Sequence, residues 1–355
     1  MTELELAPPG PGEVLVRLHA SGVCHSDYNA VDGTAATRCP AVLGHEGAGV
    51  VEAAAVHSGV AAGQRVMLSW MPACGRCAEC VRDLPHLCAT AWQDMGHGGL
   101  LDGTPRLSRS GEPVYHYSFL STFAERAVVP AACCIPIPDG VPFEVAALAG
   151  CAVATGTGAV WRTAGVRPGE RVAVVGCGGV GMSALLGAVA AGAHPIVAVD
   201  VSQDKLAAAE ELGATHAVSW AGSSEATAER VLAVSGGGVD YAFEATGRPE
   251  AALAAFLSTR SRGAAVLIGI PAADATITLP ALPIPRMERR ILGSIYGSTR
   301  PERDFPALLE LYLRGRLPLD RLVSERMPLD SVQDAFAAMR GGEALRVVLD
   351  LEGAT

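Results

Sequence analysis

The chain has 355 residues, half of them apolar and 18% charged, enough for two domains with sizeable cores. A formal charge of −10 argues against a nucleic acid or an anionic membrane as partner. The opening M-T-E-L-E-L is acidic and alternating, unlike a basic-apolar-small leader. No uninterrupted apolar run reaches the roughly 18 to 20 residues a spanning helix needs.

The nearest approach to such a run, Val141 to Val160, is broken by Glu144 and by glycines and threonines. These features predict a cytoplasmic protein, and in a reducing compartment clustered cysteines are better read as metal ligands than as disulfides.

Residues 1–150 read as short strands between Gly/Pro turns, with Glu13-Val14-Leu15-Val16-Arg17-Leu18 the clearest alternation. Two short motifs in this region offer soft or borderline ligands: Gly22-Val23-Cys24-His25-Ser26-Asp27 and Gly44-His45-Glu46-Gly47. Next come Cys74, Cys77, Cys80 and Cys88, spaced C-x2-C-x2-C-x7-C. Such short spacings let a loop close on one ion, and four thiolates complete a tetrahedral zinc with no open position, which makes the site structural. An iron–sulfur cluster is the rival, although its motifs usually place a proline beside the last cysteine, where this chain has Ala89-Thr90. Ala149-Gly150-Cys151-Ala152 supplies a third soft ligand to set beside Cys24 and His45. Two sulfurs and an imidazole would leave a zinc position open for water or substrate. Spacing alone does not join positions 24, 45 and 151.

From about Val153 the pattern turns to regular α/β. Strands are expected at Arg171–Val175, Pro195–Asp200, His216–Val218, Val239–Glu244 and Ala264–Gly269, with helices at Met182–Ala191 and Gln203–Leu212. The alternation implies right-handed crossovers and a parallel sheet. Helices Phe305–Arg314 and Ser331–Arg340 and a last strand Leu345–Leu351 close the chain. Within the α/β region, Val175-Gly176-Cys177-Gly178-Gly179-Val180-Gly181 follows a strand and opens a helix. Gly176 allows the tight turn, Gly178 the approach of a pyrophosphate and Gly181 close helix–sheet packing. Asp200, at the end of the next strand, lies 24 residues after Gly176 and suits both ribose hydroxyls while repelling a 2′-phosphate, which favours NAD over NADP.

Taken in order, G-V-C-H-S-D, G-H-E-G-A-G, the four-cysteine lobe, a G-C pair and V-x-G-C-G-G-V-G resemble the zinc-dependent medium-chain alcohol dehydrogenases over nearly the whole chain. Within that family the chain is similar to the bacterial aryl and allyl alcohol dehydrogenases and to the thiol-dependent formaldehyde dehydrogenases. The resemblance implies an α/β fold, in which a β-rich GroES-like catalytic domain (1–151 and 295–355) carries an inserted Rossmann NAD-binding domain (152–294). It implies two zinc ions per chain, catalytic at Cys24, His45 and Cys151 and structural at Cys74, Cys77, Cys80 and Cys88. Asp27 and Glu46 would support the catalytic metal from behind, and Ser26 would take the proton of an alcohol whose hydride passes to NAD. Gly176, Gly178, Gly179, Val180 and Gly181, with Asp200 and Lys205 at the adenosine ribose, His25 and Arg346 near the pyrophosphate and Thr155 near the nicotinamide, would bind the cofactor. The partner would be a small alcohol or aldehyde, and the assembly a homodimer or homotetramer.

The chain departs from the family pattern in three places. Asn29 occupies the position of a relay histidine and has no titratable proton to hand on. Ala35 and Trp92 stand where glutathione-using members carry an acid and an arginine, which demotes a glutathione adduct more than a mycothiol one. The family usually begins some twenty residues earlier, with a strand and a turn; either the start of this chain is late, or the domain lacks an outer strand and exposes a sheet edge. Trp70, with Tyr117 and Ser118 near it, reads either as a pocket wall suited to a flat apolar alcohol or as a residue that fills the core. A reductase of C=N or conjugated C=C bonds is a further alternative, and a non-catalytic NAD-binding scaffold a third, against which an open zinc site weighs.

Overall fold

In the computed structural model, which describes residues 2–342 and 344–352, the chain forms two compact units. One comprises Met1–Cys151 with Arg300–Thr355, the other Ala152–Thr299.

The first unit is built around strand Glu13–Gly22, which pairs antiparallel with Glu46–Ala54, Arg126–Pro130 and Arg346–Asp350. Its alternation is the reason: Val14, Val16 and Leu18 are buried while Arg17 faces out, the two-residue period of a half-buried strand. The strand runs four residues beyond the expected Leu18 and carries the chain to Cys24. Val323–Pro328, Arg65–Leu68 and Cys134–Pro136 complete a seven-stranded sheet whose core includes Val51, Leu68, Val129, Phe336 and Leu349. A smaller sheet orders Glu5–Leu6, Leu107–Arg109, Glu112–His116 and Ala41–Val42. Its parallel pair, Val42 opposite His116, sets the segments that follow each strand side by side, and one of them contains His45.

The second unit holds six parallel strands in the order His216–Ser219, Ile196–Asp200, Val172–Val175, Val239–Glu244, Thr259–Leu267, Arg290–Gly293. Numbered along the chain this is the doubly wound order 3-2-1-4-5-6. Val172–Val175 is buried along its whole length, as a central parallel strand covered on both faces must be.

The structure corrects three element expectations. The helix expected from Met182 begins at Gly179, because extended Gly178 (φ −78°, ψ −173°) ends the loop and the glycines after it are already helical. The helix expected from Phe305 begins at Pro301, a residue suited to the first helical turn. The broken apolar segment near 141–160 is one helix, Phe143–Ala164, of 22 residues. It is long and apolar enough to cross a membrane, but 78% of its most apolar window is buried within the fold, as in a core helix.

Candidate active site and metal centres

Cys24 precedes helix His25–Val31, His45 precedes strand Glu46–Ala54, and Cys151 lies in a π-helical turn, Ala149–Val153, of the kind frequent at functional sites. One donor atom from each, and one from Glu46, all lie within 4.8 Å of one another. Gly44 makes the approach possible. Its φ is +92°, and a Cβ there would come within 2.5 Å of Thr122 Oγ1.

Asp27 is fully buried and organises the cluster. Its Oδ1 accepts from His45 Nδ1 at 2.9 Å and from the Gly44 N–H at 3.1 Å, and its Oδ2 accepts from the Cys24 N–H at 3.1 Å. With Nδ1 committed to a carboxylate, Nε2 is the atom left for a cation, and it lies 3.4 Å from Cys151 Sγ. Burial alone would lower the His45 pKa, but the charge and hydrogen bond of Asp27 outweigh it and hold the imidazole well above its ordinary value. The hydrogen bond between Cys24 and Cys151 lowers the first thiol and raises the second, so the pair shares one proton. A divalent cation would replace that proton and allow both thiolates.

Glu46, expected behind the metal, brings a carboxylate oxygen within the same 4.8 Å. The whole carboxylate is buried, and desolvation raises its pKa to about 7 against the opposing charge of Arg346. Arg346 Nη2 is hydrogen-bonded to Glu46 Oε2, while Glu46 Oε1 has no hydrogen-bond partner among the described residues. A buried carboxylate oxygen without a partner, among two sulfurs and an imidazole, fits a zinc site. Arg346, expected near the pyrophosphate, is buried with Nη2 against Glu46. Of the other expected residues, His25 is exposed, and Ser26 and Asn29 are half-buried on the same short helix.

The four lobe cysteines form a second cluster, their sulfurs also within 4.8 Å of one another. Cys88 is the buried member, and its Sγ accepts from the Cys74 N–H at 3.3 Å and the Ala91 N–H at 3.5 Å. Cys74 Sγ accepts from the Cys77 N–H at 3.3 Å. A hydrogen bond from Thr90, then backbone N–H groups, bring the Cys74 pKa down to about 6, so this loop already favours a thiolate. Arg300 ties the lobe to helix Pro301–Leu313, donating from Nε to the Asp83 carbonyl at 3.1 Å and pairing with its carboxylate.

In the second unit the glycine-rich loop has a distinct reason for each glycine. Gly176 takes φ +95°, and a Cβ would meet Thr246 Cγ2 at 2.4 Å. At Gly181 a Cβ would overlap the Gly176 carbonyl, 1.7 Å away. Around Gly178 nothing lies within 4 Å, so this position is open for a ligand rather than for packing. Gly179 and Val180 begin a twelve-residue helix whose free N–H groups suit a pyrophosphate. Asp200 Oδ2 accepts from the Cys177 N–H at 2.7 Å and Oδ1 from the Ser202 N–H at 2.9 Å, so the acid also braces the loop. Lys205 and Thr155 are half-buried in the same unit.

Residues 10–139 match the alcohol dehydrogenase GroES-like domain, and residues 179–314 match the zinc-binding dehydrogenase domain. An alcohol dehydrogenase zinc-binding domain protein from Burkholderia ambifaria has a TM-score of 0.93 at 36% identity, the match covering 98% of this chain and 94% of that one. The chain belongs to the zinc-binding medium-chain alcohol dehydrogenase family. It is also similar to benzyl alcohol dehydrogenase from Acinetobacter calcoaceticus (TM-score 0.92, 31% identity, 98% and 94% coverage). An alcohol dehydrogenase from Thermus sp. ATN1 is more distant (0.80, 28%, 96% and 93%). The protein is therefore a zinc-dependent, NAD-linked oxidoreductase of alcohols and aldehydes, with two metal clusters matching the catalytic and structural zinc sites of alcohol dehydrogenases.

The open space at Gly178 separates cofactor binding from folding in this dehydrogenase. Gly178→Val should raise the KM for NAD by about tenfold or more at nearly unchanged thermal stability. Gly181→Ala should lower the unfolding temperature instead. Titration with NAD and a thermal melt of each variant check both.

Sequence reasoning missed the turn after strand Glu112–His116. Ser118, Phe119 and Ser121 all take left-handed φ values, 51°, 64° and 55°, yet none is glycine or asparagine, so no residue type signals the turn. His116 beneath it is buried, and desolvation, helped by the Arg106 charge, lowers its pKa to about 4. The unfolded chain takes up a proton near 6.5, while folded His116 stays neutral down to about 4. Above pH 6.5 the residue leaves stability unchanged. Below it, stability declines toward pH 4 by up to about 3 kcal/mol. His116→Gln should flatten that part of the decline in urea-unfolding midpoints, where the parent enzyme keeps it.

Proposed function

We propose that this dehydrogenase oxidises primary alcohols carrying an aryl, allyl or medium-length apolar group, with NAD as hydride acceptor. The observation that carries the reading is the meeting of Cys24, His45, Glu46 and Cys151 donors around Asp27-bound His45. Zinc held there supplies a Lewis acid that lowers an alcohol's pKa, and NAD supplies the hydride acceptor.

The chain's own residues do the remainder. Asp27 accepts from His45 Nδ1 and so fixes the ring with Nε2 toward the cation. Ser26 Oγ takes the alcohol proton and passes it to water, since Asn29 has nothing to relay. Glu46, held by buried Arg346, keeps negative charge beside the cation. Gly176 to Gly181 hold the pyrophosphate and Asp200 and Lys205 the adenosine ribose, with His25 and Thr155 in further cofactor contact. On this reading residues 1–151 and 295–355 form the catalytic domain and 152–294 the NAD domain.

Two observations favour an aromatic substrate. Trp70, packed on the first unit's core, and Trp92 form an edge-to-face pair with centroids 5.9 Å apart, an aromatic cluster at the lobe that would suit an aromatic ring. The 31%-identical Acinetobacter relative is a benzyl alcohol dehydrogenase. Trp92 is uncharged and already donates its indole N–H to the His86 carbonyl at 3.1 Å, so it offers a glutathione carboxylate neither a charge nor that donor. The protein is further proposed to be cytoplasmic and at least dimeric. Strand Arg290–Gly293 is a sheet edge beside exposed Leu282, Ile284 and Ile291, which a second copy would cover. The deciding assay is NADH formation with benzyl alcohol, cinnamyl alcohol and hexanol, against formaldehyde with glutathione or mycothiol. Turnover of the alcohols without thiol is expected. Activity confined to formaldehyde with a thiol would overturn the reading.

A further inference from the structure

We infer that Tyr117 is a positioning residue for Ser26, its phenol hydroxyl fixing the first turn of helix His25–Val31 beside the His45 ring. The inference rests on the proposed role of Ser26 as proton acceptor.

The Tyr117 hydroxyl donates to the Ser26 carbonyl at 2.8 Å. The same ring meets His45 edge-on, with centroids 5.7 Å apart and planes at 65°. One side chain thus touches both a metal donor and the backbone of the residue that would receive the proton. Helix His25–Val31 has only seven residues and would be marginal alone, so a tertiary bond at its first turn has leverage over where Ser26 Oγ points.

The turn that presents Tyr117 is itself held from below. The Tyr117 N–H is shared between the Val42 carbonyl and Ser121 Oγ, each at 3.2 Å. The Tyr117 carbonyl accepts from the N–H groups of Leu120 and Ser121, closing the left-handed turn on itself. Just beyond it, the Thr122 and Phe123 N–H groups donate to the Gly44 and Leu43 carbonyls, next to His45. His116 Nε2 accepts from the Arg106 N–H at 3.0 Å, so its proton is on Nδ1 and is donated to Ser121 Oγ at 3.2 Å. Arg106 is clamped in turn by both Glu13 oxygens, at 2.6 and 2.9 Å, and by Asp102 at 2.6 Å. Left-handed non-glycine residues persist where the surroundings over-determine them, and this network does so. The Arg106 guanidinium is held by Glu13, its backbone N–H holds His116, and His116 through Ser121 Oγ holds the Tyr117 backbone N–H, so the turn is anchored on the side opposite the phenol hydroxyl that bonds Ser26.

Tyr117→Phe keeps the ring and removes the bond. Its kcat for the preferred alcohol should fall about tenfold, with the alcohol KM and the zinc content of the holoenzyme unchanged within about twofold. Amide exchange over residues 25–31 should accelerate. On a Ser26→Ala background the same change should alter kcat by less than about twofold, because the group being positioned is already gone. Parent-like kcat and exchange in Tyr117→Phe would overturn the inference, as would a tenfold loss that persists on the Ser26→Ala background. Parent-like kcat in Ser26→Ala alone would instead sink the reading of Ser26 as proton acceptor and remove the target of the positioning. Exchange over 25–31 would then still report whether Tyr117 holds the helix.

Discussion

His45→Ala is expected to lower alcohol oxidation by about a thousandfold or more, because Lewis-acid activation is worth several kcal/mol and each factor of ten about 1.4. The imidazole is the one nitrogen donor in a cluster otherwise made of two sulfurs and a carboxylate, and Asp27 exists there largely to orient it. Without the ring, Asp27 remains fully buried with its main opposing charge removed. Desolvation, which already raises its pKa, would then drive it further toward the neutral acid. The variant should bind one zinc per chain instead of two, the four-cysteine lobe keeping its own. Asp27→Asn is expected to be milder, about 10 to 100-fold, since it removes the orienting charge but leaves every donor. Metal quantification beside kcat/KM checks both, and parent-like turnover in His45→Ala would place the chemistry elsewhere.

The second large effect is on stability. Cys88→Ala should release the lobe's metal and lower the unfolding temperature by about 10 °C or more, since structural zinc supplies folding free energy directly. The lobe from Cys74 to Met95 buries little beyond Cys88, His86 and Ala91, too small an interior to hold its loops without a cross-link. Arg300 on Asp83 is a partly exposed ion pair, and the edge-to-face contact of Trp92 with Trp70 is a single aromatic pair, so neither substitutes for the metal. Calorimetry and limited proteolysis between residues 74 and 95 measure the effect. An unchanged melting temperature would mean that the sulfurs are packing rather than ligating.

Legibility in the sequence followed the distance over which each feature is encoded. The glycine loop, the alternating strands of the second unit and the four-cysteine lobe are local patterns, and each was readable from consecutive residues. The meeting of Cys24, His45 and Cys151 was not: spacing could not join them, and the family resemblance supplied the link that the fold makes physically. The pairing of Glu46 with Arg346, 300 residues away, left no local trace, because a buried arginine and a surface arginine look alike in sequence. Helix Phe143–Ala164 was obscured by its own small residues, Gly150, Thr155, Gly156 and Gly158, which read as turns yet allow close packing. Within the second unit, a Cβ on Gly156 would come within 2.3 Å of the Val180 carbonyl. The left-handed turn beside Tyr117 was invisible because its conformation is imposed by His116 and Val42 from outside the turn.

An open catalytic zinc site at Cys24, His45 and Cys151 is expected to coexist with a closed one in the cysteine lobe. Zinc quantification on the purified holoenzyme, alongside Cys151→Ser, tests it most directly. Two ions per chain, falling to one with loss of alcohol oxidation in the variant, is the predicted result. A single ion in the parent protein, unchanged in Cys151→Ser, would contradict it and leave a scaffold that kept only its structural metal.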